Sequence, residues 1–264
     1  MRLTNNHRLK KLDPDSLPDV EQFLHRQNPF DAMFFRSKNK ELLSELWGSY
    51  DASNKLTALL TLGEESHNVL WKREQSLKPL ASLVRSRYSI TKTSGQGSKI
   101  IPWLAQFQAG EIIFKQEGYA CVLTKDAFHR FPSPKVRKAN LTDIERILWL
   151  FPKDPDAEQK KIELSIKQTK AFVLEESGLI VSIARTDMET PTGSHIVGVA
   201  THPDFRGNGF ATCCVAALCN ELLSRSQNIF LAYTTDNDAA GRVYNKIGFT
   251  KLAEKRVRAR LQFN

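Results

Sequence analysis

The residues best suited to chemistry lie in one run, Val199-Ala200-Thr201-His202-Pro203-Asp204-Phe205-Arg206-Gly207-Asn208-Gly209-Phe210-Ala211-Thr212. It reads as a strand, a tight glycine turn and a helix start. Glycines at 207 and 209 let the backbone bend sharply and bring successive N–H groups close to a ligand. The first amides of a helix lack internal partners and carry the positive end of its dipole. Together, the amides from Gly207 through Asn208, Gly209, Phe210 and Ala211 to Thr212 make a seat for a pyrophosphate. Ala211 is small where bulk would block the approach, and Arg206 adds a fixed positive charge. Taken alone, Gly-x-Gly is also what an ordinary turn looks like. A Walker loop is disfavoured because no G-x-x-x-x-G-K-[ST] occurs. A dinucleotide fingerprint is disfavoured, because position 212 is Thr and no acidic residue closes a strand about 20 residues later.

The elements that must hold this turn are legible around it. Val136–Ala139 reads as a short strand, and Asn140 or Thr142 caps a helix through Leu150. A second helix is expected over Ala157–Thr169. Strands follow at Ala171–Leu174 and Leu179–Arg185 around the turn Glu175-Glu176-Ser177-Gly178, then at His195–Thr201. A helix over Gly209–Ser224, a strand at Ile229–Thr234 and a short helix at Ala239–Ile247, stopped by Gly248, complete the set. Val257, Ala259, Leu261 and Phe263 alternate with Arg256, Arg258, Arg260 and Gln262, a closing strand with one buried and one wet face. The three arginines are read as that solvated face rather than as a grip on an acidic substrate.

The chain has 264 residues, 41% hydrophobic and 25% charged, which suits one large globular domain or two small ones. No apolar run approaches the ~18 residues that cross a bilayer, and no apolar stretch follows the basic start, so a cytoplasmic protein without membrane partners is expected. Four cysteines show no paired CxxC spacing. They read as small buried side chains, and no metal is expected. The net charge of +9 is spread over both halves without a basic run. That suits an anionic ligand better than nucleic acid.

Two blocks carry a family resemblance. V-x-T-x-P-x-x-R-G-x-G-x-A resembles the acyl-CoA signature of the GNAT superfamily of N-acetyltransferases, R/Q-x-x-G-x-G/A, with Arg206, Gly209 and Ala211 in the three places. Downstream, Asn237-x-x-Ala240-x-x-x-Tyr244-x-x-x-Gly248-Phe249 is similar to the family's N-x-x-A-x-x-x-Y-x-x-x-G-F. The resemblance covers about residues 135–264. It implies an α/β (α+β) fold, with a mixed, mostly antiparallel central sheet flanked by helices. It implies acetyl-CoA as co-substrate and an amine as acceptor. Backbone groups of Val199 and Thr201 would pair with the pantetheine arm, and the Val199 N–H would face the thioester carbonyl. Tyr244 resembles the family's general acid, and Asn237 would cap its helix or bind the cofactor arm. A non-catalytic acyl-CoA sensor or scaffold is the rival reading. Glu175, Glu176, Asp187, Glu189, His195 and His202 are candidate bases, with none assigned.

The Pro132-Ser133-Pro134 break divides the chain into residues 1–132 and 133–264. In the first part, helices are expected at Leu17–Arg26, Ser37–Trp47, Leu77–Arg87 and Lys99–Gln108, and strands at Leu56–Leu62 and Tyr119–Leu123. Lys92-Thr93-Ser94-Gly95-Gln96-Gly97 faintly resembles the cradle. It suggests either a degenerate first GNAT copy, as in tandem proteins, or a Ser/Gly loop of an unrelated α/β domain. No chemistry is expected there, and the chain is expected to be a monomer or a homodimer.

Overall fold

One order of elements runs through the chain twice. The computed structural model describes residues 7–36, 46–133, 135–153, 155–168 and 170–264. The first pass is β1 (Arg8–Lys11), α1 (Leu17–Leu24), α2 (Pro29–Arg36), β2 (Leu46–Tyr50), β3 (Leu56–Leu62), β4 (His67–Trp71), α3 (Leu77–Arg87), β5 (Ile90–Gln96), α4 (Gly97–Leu104) and β6 (Ile112–Thr124). The second is β7 (Val136–Lys138), α5 (Ile144–Leu148), α6 (Pro155–Gln168), β8 (Ala171–Glu176), β9 (Leu179–Thr190), β10 (Gly193–Thr201), α7 (Phe210–Leu222), β11 (Asn228–Thr234), α8 (Asp238–Ile247) and β12 (Thr250–Gln262). The fold is thus mixed α/β with antiparallel-rich sheets flanked by helices.

Two compact units result, residues 1–119 with 253–264, and residues 120–252. This division falls at Ala120 and Leu252, whereas the proline break lies inside the second unit. Pro134 itself lies outside the described residues. In the first unit β1 to β4 form an antiparallel sheet in sequence order, and Lys92 of β5 makes an isolated parallel bridge to Ser66, the residue before β4. In the second, β7, β8, β9 and β10 are antiparallel in sequence order and β11 lies parallel to β10. The tenth elements are exchanged. β12 pairs antiparallel with β5, from Arg256 opposite Gln96 to Gln262 opposite Ile90. β6 lies beside β11.

The alternation expected in the closing strand holds, and Val257, Ala259 and Leu261 are buried. They pack with Leu60, Leu80, Trp103 and Phe107, so the end of the chain completes the first unit's core. Arg256 departs from the solvated face. It is buried, ion-paired with Asp31 in the first turn of α2, and its guanidinium lies 4.5 Å over the Phe30 ring. A charge in such a place is tolerated only with a partner.

Other expectations also change. Of the helix expected at Ser37–Trp47, residues 37–45 lie outside the described residues and Leu46 and Trp47 open β2. Lys92–Gln96 is strand rather than turn, with Thr91, Thr93 and Gly95 buried in alternation, and neither Gly95 nor Gly97 has a positive φ. β-branched residues at every second position favour that strand.

Candidate active site

The turn between β10 and α7 is built as its sequence requires. Gly207 and Gly209 take φ of 84° and 77°, the left-handed region that glycine enters without strain. Gly209 is the N-cap of α7 and provides no side-chain cap. The first helical bond runs from the Cys213 N–H to the Gly209 carbonyl at 3.1 Å. The amides of Phe210, Ala211 and Thr212 therefore point out of the helix end. A Cβ added at Gly207 or Gly209 would meet nothing within 4 Å. Neither glycine is demanded by packing; both leave backbone open to a ligand. Arg206 is exposed, with its Nε 3.3 Å from the Thr201 carbonyl, and Asn208 donates to the Phe205 carbonyl at 3.2 Å. The bend is tied to the end of β10 while its amides face outward.

The strand leading into this turn is freed from its neighbours. β10 and β11 pair only at Ser194 with Ile229 and His195 with Phe230. On the other edge, Gly198 and Val199 lie in a register shift between the pairs Val197–Arg185 and Ala200–Ile183. Such a bulge bends a strand and re-aims its groups. Gly198 has φ 55°, and a Cβ there would lie 2.3 Å from Arg185 Nε. Arg185 is buried under the bulge, paired with Glu158 of α6 at 3.0 Å, and its Nε has no hydrogen-bond partner among the described residues. Val199 and Thr201 are half-buried, and the Thr201 hydroxyl lies 2.9 Å from that of Ser182.

Helix α8 presents Tyr244. Asn237 caps it by accepting the Ala240 N–H at 3.0 Å, the first of the two roles expected of it. Gly248 ends it with φ 105°. The Tyr244 side chain is buried between Tyr233 and Phe249, with ring centroids at 5.5 and 5.8 Å. Burial pushes its phenol well above the ordinary value, and Cys121, Cys219 and Tyr233 push in the same direction. The group is a firmly protonated donor. Tyr233 was not singled out from sequence. Its hydroxyl lies 3.0 Å from where a Cβ on Gly241 would stand, so that glycine in α8 was the available signal.

The candidate bases separate by their partners. Glu175 is held by Arg137 at 3.1 Å and Arg146 at 3.2 Å, and Glu176 by Lys135. Glu189 accepts from the Thr186 hydroxyl at 3.3 Å. His202 stacks on Trp149 at 4.1 Å. His195 and Asp187 form a dyad, Nδ1 to Oδ1 at 2.9 Å, where β10 and β11 still pair. Burial raises the Asp187 carboxyl, but His195 and Arg185 outweigh it and hold the group below its usual range. Among the described residues no cluster of His, Cys, Asp and Glu could hold a metal ion, and all four cysteines are free thiols.

Splayed parallel strands, an outward-facing glycine turn at a helix end and a tyrosine on the next helix define the GNAT class of N-acetyltransferase fold. Residues 178–259 match the family described as FR47-like protein. An acetyltransferase of Yersinia enterocolitica, YE1169, is 28% identical over 125 residues, covering 44% of this chain and 86% of that protein. A GCN5-related N-acetyltransferase from Sphaerobacter thermophilus superposes with TM-score 0.69 at 14% identity, covering 99% of this chain and 97% of the other. A tandem GNAT protein from the clavulanic acid biosynthesis pathway superposes with TM-score 0.63 at 11% identity, covering 97% and 98%. The chain shares the fold of these GNAT proteins, and its two passes follow that of the tandem one. No helix among the described residues is long and apolar enough to cross a membrane.

Proposed function

We propose that the second unit transfers an acetyl group from acetyl-CoA to a primary amine by direct attack. The observation that carries this reading is the turn at 206–212, whose glycine Cβ directions open onto empty space beside unbonded helix amides. Those amides and Arg206 fit a pyrophosphate by charge and by donor direction. Acetyl-CoA would supply the activated acyl group as a thioester. The backbone of Val199 and Thr201, left without β11 as a neighbour, would take an extended arm as an added strand does. A fixed Val199 N–H would stabilise charge growing on the acyl oxygen, because it need not reorganise. Tyr244 would donate a proton to the departing sulfur, and a raised phenol pKa keeps that proton available at neutral pH. Of the candidate bases, His195 has the arrangement to accept a proton from the incoming ammonium, since Asp187 holds its Nδ1.

Calorimetric titration with acetyl-CoA, followed by an amine panel read by release of free thiol, tests the reading. Binding with thiol release on at least one amine is expected. Absence of binding would reject the cradle, and binding without turnover on any amine would favour a sensor.

A further inference from the structure

A basic cavity lies in the first unit, with Lys72 at the start of the segment between β4 and α3. A cavity of about 190 Å³ is walled by Asp19, Phe23, Arg26, Asn54, Lys55 and Lys72, among others. Asp19 and Phe23 lie on α1 and Arg26 just beyond it, Asn54 and Lys55 on the turn before β3, and Lys72 follows β4. Three cations thus face one carboxylate. Among the described residues none of Arg26, Lys55 and Lys72 is in an ion pair, whereas the next residue, Arg73, is held by Asp51 at 3.1 Å. The Lys72 ammonium sits 4.3 Å over the buried Phe23 ring, which fixes it at the cavity wall. Burial, then Arg26 and Lys55, hold that amine below its ordinary pKa. Asn54 turns its Oδ1 to Arg8 at 2.8 Å, which brings a fourth cation close and leaves its amide N–H groups available. With Asp19 as the one carboxylate among the lining residues, the three cations repel one another, and a bound anion relieves that repulsion.

Lys72 opens the segment between β4 and α3, where by element order a cofactor seat would lie, but Lys72–Ser76 contains no glycine to shape one. The end of β4 is also fastened to α4. Trp71 Nε1 donates to the Lys99 carbonyl and Lys99 Nζ to the Trp71 carbonyl, both at 3.0 Å, with the ammonium 4.5 Å over the indole.

We propose that this cavity binds a compact, multiply charged oxyanion of the phosphate class, held by Lys72, Arg26 and Lys55. The test is calorimetry and thermal denaturation of the full chain with inorganic phosphate, against sodium chloride at equal ionic strength. Phosphate should raise the melting temperature more than chloride. Its affinity should fall at least 10-fold in Arg26→Gln/Lys72→Met and should be retained in Gly209→Trp, which fills the cradle. Acetyl-CoA affinity should be the same in the double variant as in the parent protein. If the double variant fails to fold, Lys55→Gln on the exposed turn should weaken phosphate binding in the same direction. An equal response to chloride, undiminished phosphate binding in the variants, or its loss in Gly209→Trp would overturn the assignment.

Discussion

Replacing Gly209 with Ala separates what the chain needs from what a ligand needs. The residue sits at φ 77° with nothing within 4 Å of the added Cβ. The fold therefore meets only the strain of a left-handed alanine, roughly 1–2 kcal/mol, or a few degrees of melting temperature. The same change at Gly248 is different. There φ is 105° and the new Cβ would stand 1.8 Å from the Ala127 carbonyl oxygen, so the backbone must move as well. A loss of about 3 kcal/mol or more is expected at 248. Coenzyme affinity should follow the opposite order. The Cβ at 209 enters the space in front of the helix amides, and weakening one hydrogen bond to a charged phosphate costs about 1.5–3 kcal/mol. That is roughly 10- to 150-fold in dissociation constant. Thermal melts of both variants and calorimetry with CoA give the comparison. A Gly209→Ala protein that binds CoA like the parent would refute the placement of the pyrophosphate.

Tyr244→Phe should keep acetyl-CoA binding and lower kcat by about 100-fold or more, the usual range for a lost proton donor; unchanged turnover in steady-state assays would remove Tyr244 from the reaction. One coenzyme should bind per chain, because the corresponding strand end in the first unit is closed by the Trp71–Lys99 pair; a calorimetric stoichiometry of two would contradict this. His67 should make the fold acid-sensitive. Trp103 donates to its Nε2 at 3.1 Å, so Nδ1 carries the hydrogen toward Thr91 Oγ1, and burial lowers its pKa to about 3. A basic group lowered on folding contributes its stability above the unfolded value, ~6.5, and loses it as pH falls toward the folded value. The loss is about 1.4 kcal/mol per pH unit, or about 3 kcal/mol at pH 4.5. Urea denaturation at pH 7 and 4.5 should show that difference shrinking in His67→Gln.

The second repeat was readable because its signals are local. Asn140 accepting the Thr142 N–H at 2.9 Å and Gly248 at a left-handed helix end are single-residue chemistry, visible in the string. In the first repeat, helix α3 runs over Leu77–Arg87 as expected. What escaped depends on distant partners. β2 is buried at four of five positions and carries no full alternation, whereas β3 matches the strand expected at Leu56–Leu62. The pairing of β12 with β5 joins residues 160 to 172 apart, and no local pattern encodes it. The bulge at Gly198 had a signal, a glycine inside a β-branched run, but Arg185 beneath it lies on another strand.

The exchanged strands also bear on the order in which the protein is made. A ribosome working from the amino end releases β1 to β5 long before Val257, Ala259 and Leu261 exist, and those three belong to the same apolar cluster as Leu60, Leu80 and Trp103. The early half must wait, its hydrophobic edge open, until β12 emerges. Folding of the first unit is thus tied to synthesis reaching β12, and a chain that stops before Val257 leaves that unit's core unfinished.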